Sequence, residues 1–381
     1  MIGYGHQYID DSDIEAVVKV LKSDYLTQGP AVAQFEQEIC RITGAKYCVA
    51  VSNATAGLHI AVAALELGGN AEGITSPNTF LASSNCMVYN GVKPVFADIN
   101  PVSYNIEPAE IEKRITDKTR LLIPVHFAGL PCEMEKISAI ARKHKLHVIE
   151  DAAHAIGSQY ADGSSVGNCK YSDMTVFSFH PVKTITTGEG GAVTTNDEGL
   201  YQKLLMLRSH GVTKDEGLLT RNPGPWYYEM QSLGFNYRMT DIQAALGCSQ
   251  LRKLAFFKRR RREVVAAYNK AFAGMKYLET PTEPGELSSC FHLYAVQIDF
   301  ASLGKSRVKV MQELRDREIG TQVHYIPVYT QPFYKEQFGY SEGDYPNAEK
   351  YYERALSLPL YSGLSDGDVK SVVSAVKEVI G

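Results

Sequence analysis

A lysine followed by a glycine pair, an aspartate that closes an apolar run and a threonine that opens another are the residues here whose types and spacing could do chemistry. Lys183 lies within MTVFSFHPVKTITTGEGGAVTTN, residues 174–196. That pattern predicts an apolar strand over 174–179, a turn at Pro181, and a second strand opened by Gly190 and Gly191. A lysine on such a turn is ordinarily solvated, because charged side chains are mostly exposed. Three neighbours argue for something else. Ser178 and His180 can bind an anion or a ring, and the glycines allow close backbone approach. Asp151 closes the predicted strand 146–150 and so belongs at the same carboxyl edge of a sheet. A buried lysine loses proton affinity through desolvation and becomes an amine able to form Schiff bases. A carboxylate opposite it suits a pyridinium nitrogen.

Strands and helices must bring these residues together. The sequence predicts helices over 12–21 and 31–43, a strand over 47–51, a turn at Ser52-Asn53-Ala54, and a helix over 55–67. Free N–H groups at that helix start, with the Thr55 hydroxyl, would make an anion site; an ordinary threonine N-cap explains the residue equally well. Further strands are expected at 73–76, 94–97, 121–126 and 146–150, with helices at 79–89, 133–144 and 198–209. Such alternation implies an α/β fold with a mostly parallel sheet covered on both faces. Ligands of such sheets bind beyond the carboxyl ends of the strands. Thr55, Asp151 and the 178–183 turn each follow a strand directly, so they should converge there. Phe80, at another strand end, could stack on a flat ring or pack in the core, and His154 could bond a ring substituent or be a satisfied buried histidine.

Downstream, residues 213–231 read as a polar, aromatic surface loop or a subunit contact holding the only tryptophan, Trp226. Asn236 and Arg238 precede a helix capped near Thr240. A long helix over 251–272 should lead into a smaller α+β unit with strands 294–298 and 321–323 and helices 306–317 and 366–380. His324 and Tyr325 would then end a strand facing the first unit. The expected division is an N-terminal arm 1–30, a large domain 31–250 and a small domain 251–381.

The composition narrows the class. A chain of 381 residues with net charge −4 has no field to draw nucleic acid or an anionic membrane. The basic run Lys258–Arg262 follows Leu254, Phe256 and Phe257 and precedes Val264, Val265 and Tyr268, and reads as the wet face of the long helix. Seven widely spaced cysteines without a CxxC pair suggest reduced thiols and no metal site. No signal peptide or membrane-length apolar run is present, so a cytoplasmic enzyme is expected. A GxGxxG or GxxxxGK[ST] motif is also lacking.

Three stretches carry a resemblance that covers the whole chain: Val148-Ile-Glu-Asp-Ala-Ala-His-Ala, Phe177-Ser-Phe-His-Pro-Val-Lys-Thr-Ile-Thr-Thr-Gly-Glu-Gly-Gly-Ala, and Gly234-Phe-Asn-Tyr-Arg-Met-Thr-Asp-Ile-Gln-Ala-Ala-Leu-Gly. Together they resemble the DegT/DnrJ/EryC1/StrS sugar aminotransferases. The resemblance implies the aspartate-aminotransferase fold, pyridoxal 5'-phosphate as cofactor, and a homodimer with shared active sites. It makes Lys183 the Schiff-base lysine and Asp151 the pyridinium partner. Thr55, Ala56 and Ser178 become phosphate contacts, Ala54 and Phe80 further cofactor contacts, His154 a contact at the ring, and Asn236 a phosphate contact from the neighbouring subunit. Within the family, Tyr4, Leu26-Thr27, His180, Arg208-Ser209-His210-Gly211 and His324-Tyr325 are similar to transaminases of pseudaminic-acid biosynthesis. This implies L-glutamate as donor and a UDP-linked 4-keto-6-deoxy-N-acetylhexosamine as acceptor, contacted by Tyr4, Leu26, Thr27, His180, Arg238, His324 and Tyr325. The alternative is an aminotransferase for another nucleotide-linked keto sugar, such as a dTDP-4-keto-6-deoxyhexose or the UDP-D-xylo ketone.

Overall fold

Seven short apolar runs become the strands of one sheet: β1 Tyr47–Val51, β2 Glu72–Thr75, β3 Lys93–Phe96, β4 Thr119–Ile123, β5 His147–Asp151, β6 Met174–Ser178 and β7 Gly191–Thr195. The computed structural model describes residues 1–381. The spatial order is β1-β7-β6-β5-β4-β2-β3. Only β7 runs against its neighbours, pairing antiparallel with β1 and β6, and the other pairs are parallel. The carboxyl ends of β1, β2, β4, β5 and β6 therefore share one edge with the start of β7.

Helices cover both faces, and side-chain alternation shows why the strands read as continuous apolar runs. Val49, Val51, Ile149, Val176 and Val193 pack in one core with Leu58 and Ile60 of the helix Ala54–Ala64. Cys48, Ala50, Val148, Phe177 and Ala192 pack in the opposite core with Phe35 and Ile39 of the helix Pro30–Thr43. Asp151 lies two residues beyond Ile149 and Ser178 two beyond Val176. The period of two thus places both on the face of the helix Ala54–Ala64. Glu150 points to the opposite face. There its buried carboxylate accepts bonds from His126 Nε2 (2.8 Å), Tyr160 (2.6 Å), Ser172 (2.5 Å) and Thr175 (3.2 Å).

A hairpin of β8 (Val212–Thr213) and β9 (Glu229–Met230) brackets the Trp226 loop. Beyond it, β10 (Leu278–Glu279), β11 (Tyr294–Ile298) and β12 (Ala355–Leu358) form an antiparallel sheet with a separate core. The arm docks on the segments flanking that second sheet, since Ile2 N–H donates to the Glu318 carbonyl at 2.7 Å and Leu360 N–H donates to the Tyr4 carbonyl at 3.1 Å.

Several expected elements differ. Residues 321–323 form no strand; Gln322 makes one bridge to Ser357, and the third strand is β12. The long helix begins at Leu254, after the separate helix Asp241–Arg252, because the chain turns at Lys253. The basic run is not a uniformly wet face either. Arg261 is 1% exposed and donates to the carbonyls of Phe291, His292 and Leu360.

Candidate active site

At the common strand edge lies a cavity of about 600 Å³. The turn after β6 supplies Ser178, His180 and Lys183, the end of β5 supplies Asp151, and the segment just beyond it supplies His154. The start of the helix Ala54–Ala64 supplies Ala54 and Thr55, and the segment after β2 supplies Phe80, which is 59% exposed. Tyr4 from the arm and His324 and Tyr325 from the C-terminal part complete the wall.

Each group is tuned by its surroundings. Lys183 keeps some exposure to the cavity, but the protein around it is enough to lower its amine to about 8; nearby Asp151 opposes that shift. The Asp151 carboxylate is engaged by Ser83 Oγ at 2.6 Å and by the Ala153 N–H at 3.1 Å. Both donors hold the carboxylate in place at the cavity edge. Burial, with Lys183 nearby, pushes His154 well below its usual value. Its Nε2 lies 3.1 Å from the Tyr325 hydroxyl, which burial and the charge of Asp151 hold protonated. Burial and Lys183 also lower His324, to about 4, while its Nδ1 meets Ser357 Oγ at 2.9 Å.

The helix cap separates the two explanations of Thr55. Asn53 is the N-cap, its side chain accepting the Ala56 N–H at 2.8 Å. Thr55 is therefore no cap, and its hydroxyl is left to the cavity. The N–H groups of Ala54 and Thr55 have no partner within the helix. Gly191 makes this close arrangement possible, since a Cβ there would lie 2.7 Å from the Ala54 nitrogen.

Not every expected residue lines the cavity. Ala56 is set back, its N–H spent on Asn53. The Leu26 carbonyl accepts the Asp241 N–H at 3.0 Å, and Thr27 bridges to Thr240. Arg238 bridges to Val51, and Asn236 bridges to Ser209 and is exposed. Asn53, Ser83, Glu189 and His292 were absent from the sequence-based set. An asparagine immediately before a helix is a capping signal; Ser83 and His292 carry no local signal.

The donor set fits a phosphorylated pyridine aldehyde. It offers an amine of lowered proton affinity, a carboxylate fixed by two hydrogen bonds, and a helix start with unpaired N–H groups and a free hydroxyl. His154 Nδ1 is also buried without a partner. Fold and site together define an aminotransferase dependent on pyridoxal 5'-phosphate. Residues 7–377 match the DegT/DnrJ/EryC1/StrS aminotransferase family, and the chain belongs to it. The Bacillus subtilis spore coat polysaccharide biosynthesis protein SpsC is 42% identical over 380 residues, 99% of this chain and 96% of that protein. Helicobacter pylori PseC, an aminotransferase involved in the biosynthesis of pseudoaminic acid, superposes with a TM-score of 0.92 at 32% identity, covering 100% of this chain and 99% of its own. The Streptococcus pneumoniae putative sugar aminotransferase Spr1654, in its PMP form, gives 0.93 at 31% identity with the same coverage. The chain is a sugar aminotransferase, and its structure has no helix long and apolar enough to cross a membrane.

Proposed function

We propose that the chain moves the amino group of L-glutamate to C4 of a UDP-linked 4-keto-6-deoxy-N-acetylhexosamine of the β-L-arabino type, as in pseudaminic-acid synthesis. The supporting observation is the outer wall of the cavity. Tyr4 and His324 pack at 5.4 Å between ring centroids, with Tyr325 beside them and facing Phe80. These are residues by which the sequence resembles the pseudaminic-acid transaminases, and PseC shares the fold over its length. Aromatic and polar side chains so placed could flank a uracil ring and orient the sugar.

Bound pyridoxal phosphate supplies an electron sink for the carbon that loses its proton. Lys183 would hold the cofactor, and as a free amine it would take the proton from the glutamate α-carbon. An amine lowered to about 8 is free base to roughly a tenth at pH 7, against about 0.03% for an unperturbed lysine. Asp151 would face the ring nitrogen and favour its protonated form. Ser178, Thr55 and the N–H groups at the helix start would hold the phosphate. With a keto sugar in place of glutamate the same residues work in reverse, and an amine is left at C4.

The similarity to SpsC favours a second reading, a different nucleotide-linked keto sugar of polysaccharide synthesis. Selection should come from buried polar groups left unpaired by the wrong sugar, worth up to ~10⁴ in kcat/KM. Supplying the β-L-arabino ketone, its D-xylo epimer and a dTDP-4-keto-6-deoxyhexose separately at low concentration tests this. The first is expected to give the highest kcat/KM. A clear preference for either of the others overturns the substrate assignment and leaves the aminotransferase chemistry standing.

A further inference from the structure

Asp151 stands at the end of its strand, where backbone ladders fray. On one side its pairing with Val176 belongs to the continuous ladder between β5 and β6. On the other side β4 has already ended at Ile123, and Pro124 has no N–H to carry the ladder on. The chain beyond makes one isolated bridge: the Asp151 N–H donates to the Pro124 carbonyl at 2.9 Å, and the His126 N–H donates to the Asp151 carbonyl at 3.1 Å. Val125, between those two residues, lines the cavity. Two main-chain bonds are thin support for the seat of a carboxylate.

A side-chain bond supplies a third tie. His126 Nδ1 accepts the Cys132 N–H at 3.0 Å, so the ring carries its proton on Nε2 and directs it at Glu150 Oε2, 2.8 Å away. Both side chains are fully buried, on the face of the sheet away from Asp151. Because Glu150 immediately precedes Asp151, the His126 ring grips β5 one residue from the point its main chain grips. Burial alone would raise the Glu150 carboxyl; the bonds from His126, Ser172 and Tyr160 outweigh it and hold the group below its ordinary range. Tyr160 and Ser172 come from the loop between β5 and β6, and Thr175 from β6. Of the four donors, only His126 belongs to the segment that bridges Asp151.

We propose that His126 is a positioning residue for Asp151, its Nε2–H bond to Glu150 locking residues 124–126 onto the end of β5 so that the carboxylate on the other face is held against the cofactor's ring nitrogen. The inference rests on the reading of Asp151 as the partner of that nitrogen. A misplacement of about 1 Å at such a contact can cost ~10² in rate.

Substitutions at His126 separate its two bonds. His126→Gln puts an amide N–H near Nε2, keeping the bond to Glu150 and giving up the acceptor for Cys132. His126→Asn puts a carbonyl near Nδ1 and does the reverse. Tyr160→Phe removes a donor to the same Glu150 oxygen from outside the bridging segment. Each protein is loaded with pyridoxal phosphate carrying nitrogen-15 in its ring, whose NMR shift reports protonation of that nitrogen, and is assayed for kcat and glutamate KM. The expected result is a parental ring signal in His126→Gln and Tyr160→Phe, whatever their melting temperatures. In His126→Asn the signal should move toward the neutral ring, with kcat lowered roughly tenfold to a hundredfold and KM changed less than about threefold. A parental signal and kcat in His126→Asn, or equal losses in Tyr160→Phe, show that the network only stabilises the fold and overturn the proposal. Should His126→Asn not fold, His126→Gln decides: a displaced signal despite the kept bond overturns the proposal, and a parental one upholds it. Asp151→Asn in the same series tells the two readings apart. If it leaves the ring signal unchanged, the assignment of Asp151 has failed and the proposal falls with it; if it moves the signal and His126→Asn does not, only the proposal fails.

Discussion

Ser83 and Ala153 aim two hydrogen bonds at Asp151, which is 4% exposed, and so fix its carboxylate at the edge of the cavity. An amide in its place cannot favour a protonated ring nitrogen, although it fills the same space. Asp151→Asn should therefore lower kcat by ~10² or more while cofactor retention on dialysis changes much less. Equal losses in rate and retention would mean that Asp151 only holds the cofactor in place. Asp151, Lys183 and Thr55 were legible in the sequence because each ends a strand or follows one within a few residues, and strand ends are where such sheets bind ligands. Ser83 was not, since its partner lies 68 residues away and only the packing of the helix Ala82–Tyr89 brings the two together. His292 was hidden for the same reason, in a loop that becomes part of the site through contacts with Ala128, His154 and Arg261.

At the scale of elements, the site depends on how closely the β6–β7 connection approaches the helix Ala54–Ala64. Gly191 sits where the start of β7 passes the Asn53–Ala54 backbone, and a side chain there meets main-chain atoms that cannot swing away. Gly191→Val should cost about 1–3 kcal/mol of stability and weaken cofactor binding more than a core substitution of equal cost far from the edge. Thermal melts with and without cofactor measure both. Unchanged cofactor affinity in a folded Gly191→Val protein would show that this approach does not build the phosphate end. The strands of the large sheet were readable from their apolar runs and many helices from their periodicity, but the short helices Pro108–Arg114, Pro332–Phe338 and Pro346–Arg354 and the strand Ala355–Leu358 went unread. The strand at 321–323 failed because three residues of suitable type secure only one bridge without a neighbour in register. Arg261 failed because an arginine in a basic run gives no local sign that three carbonyls await it.

Across the whole molecule, Trp226, Tyr228, Met230 and Leu233 are 70%, 57%, 63% and 75% exposed, and such an apolar surface suits a protein contact. Asn236 lies just beyond them, outside the cavity of its own chain. We propose a homodimer in which Asn236 serves the partner's site. Mixing an inactive Asn236 variant with Lys183→Ala protein under subunit exchange should then restore some activity. No recovery despite demonstrated exchange would assign the residue to its own chain. Such placement across subunits is invisible to periodicity and reached the sequence reading only through family resemblance. All of these roles presuppose that the cofactor is held by the lysine between β6 and β7. The most direct measurement is borohydride reduction of the pyridoxal-phosphate-loaded protein, followed by peptide mass mapping. The account predicts the phosphopyridoxyl group on Lys183, and its loss when L-glutamate is added before reduction. A label on any other lysine, or none despite bound cofactor, would contradict it.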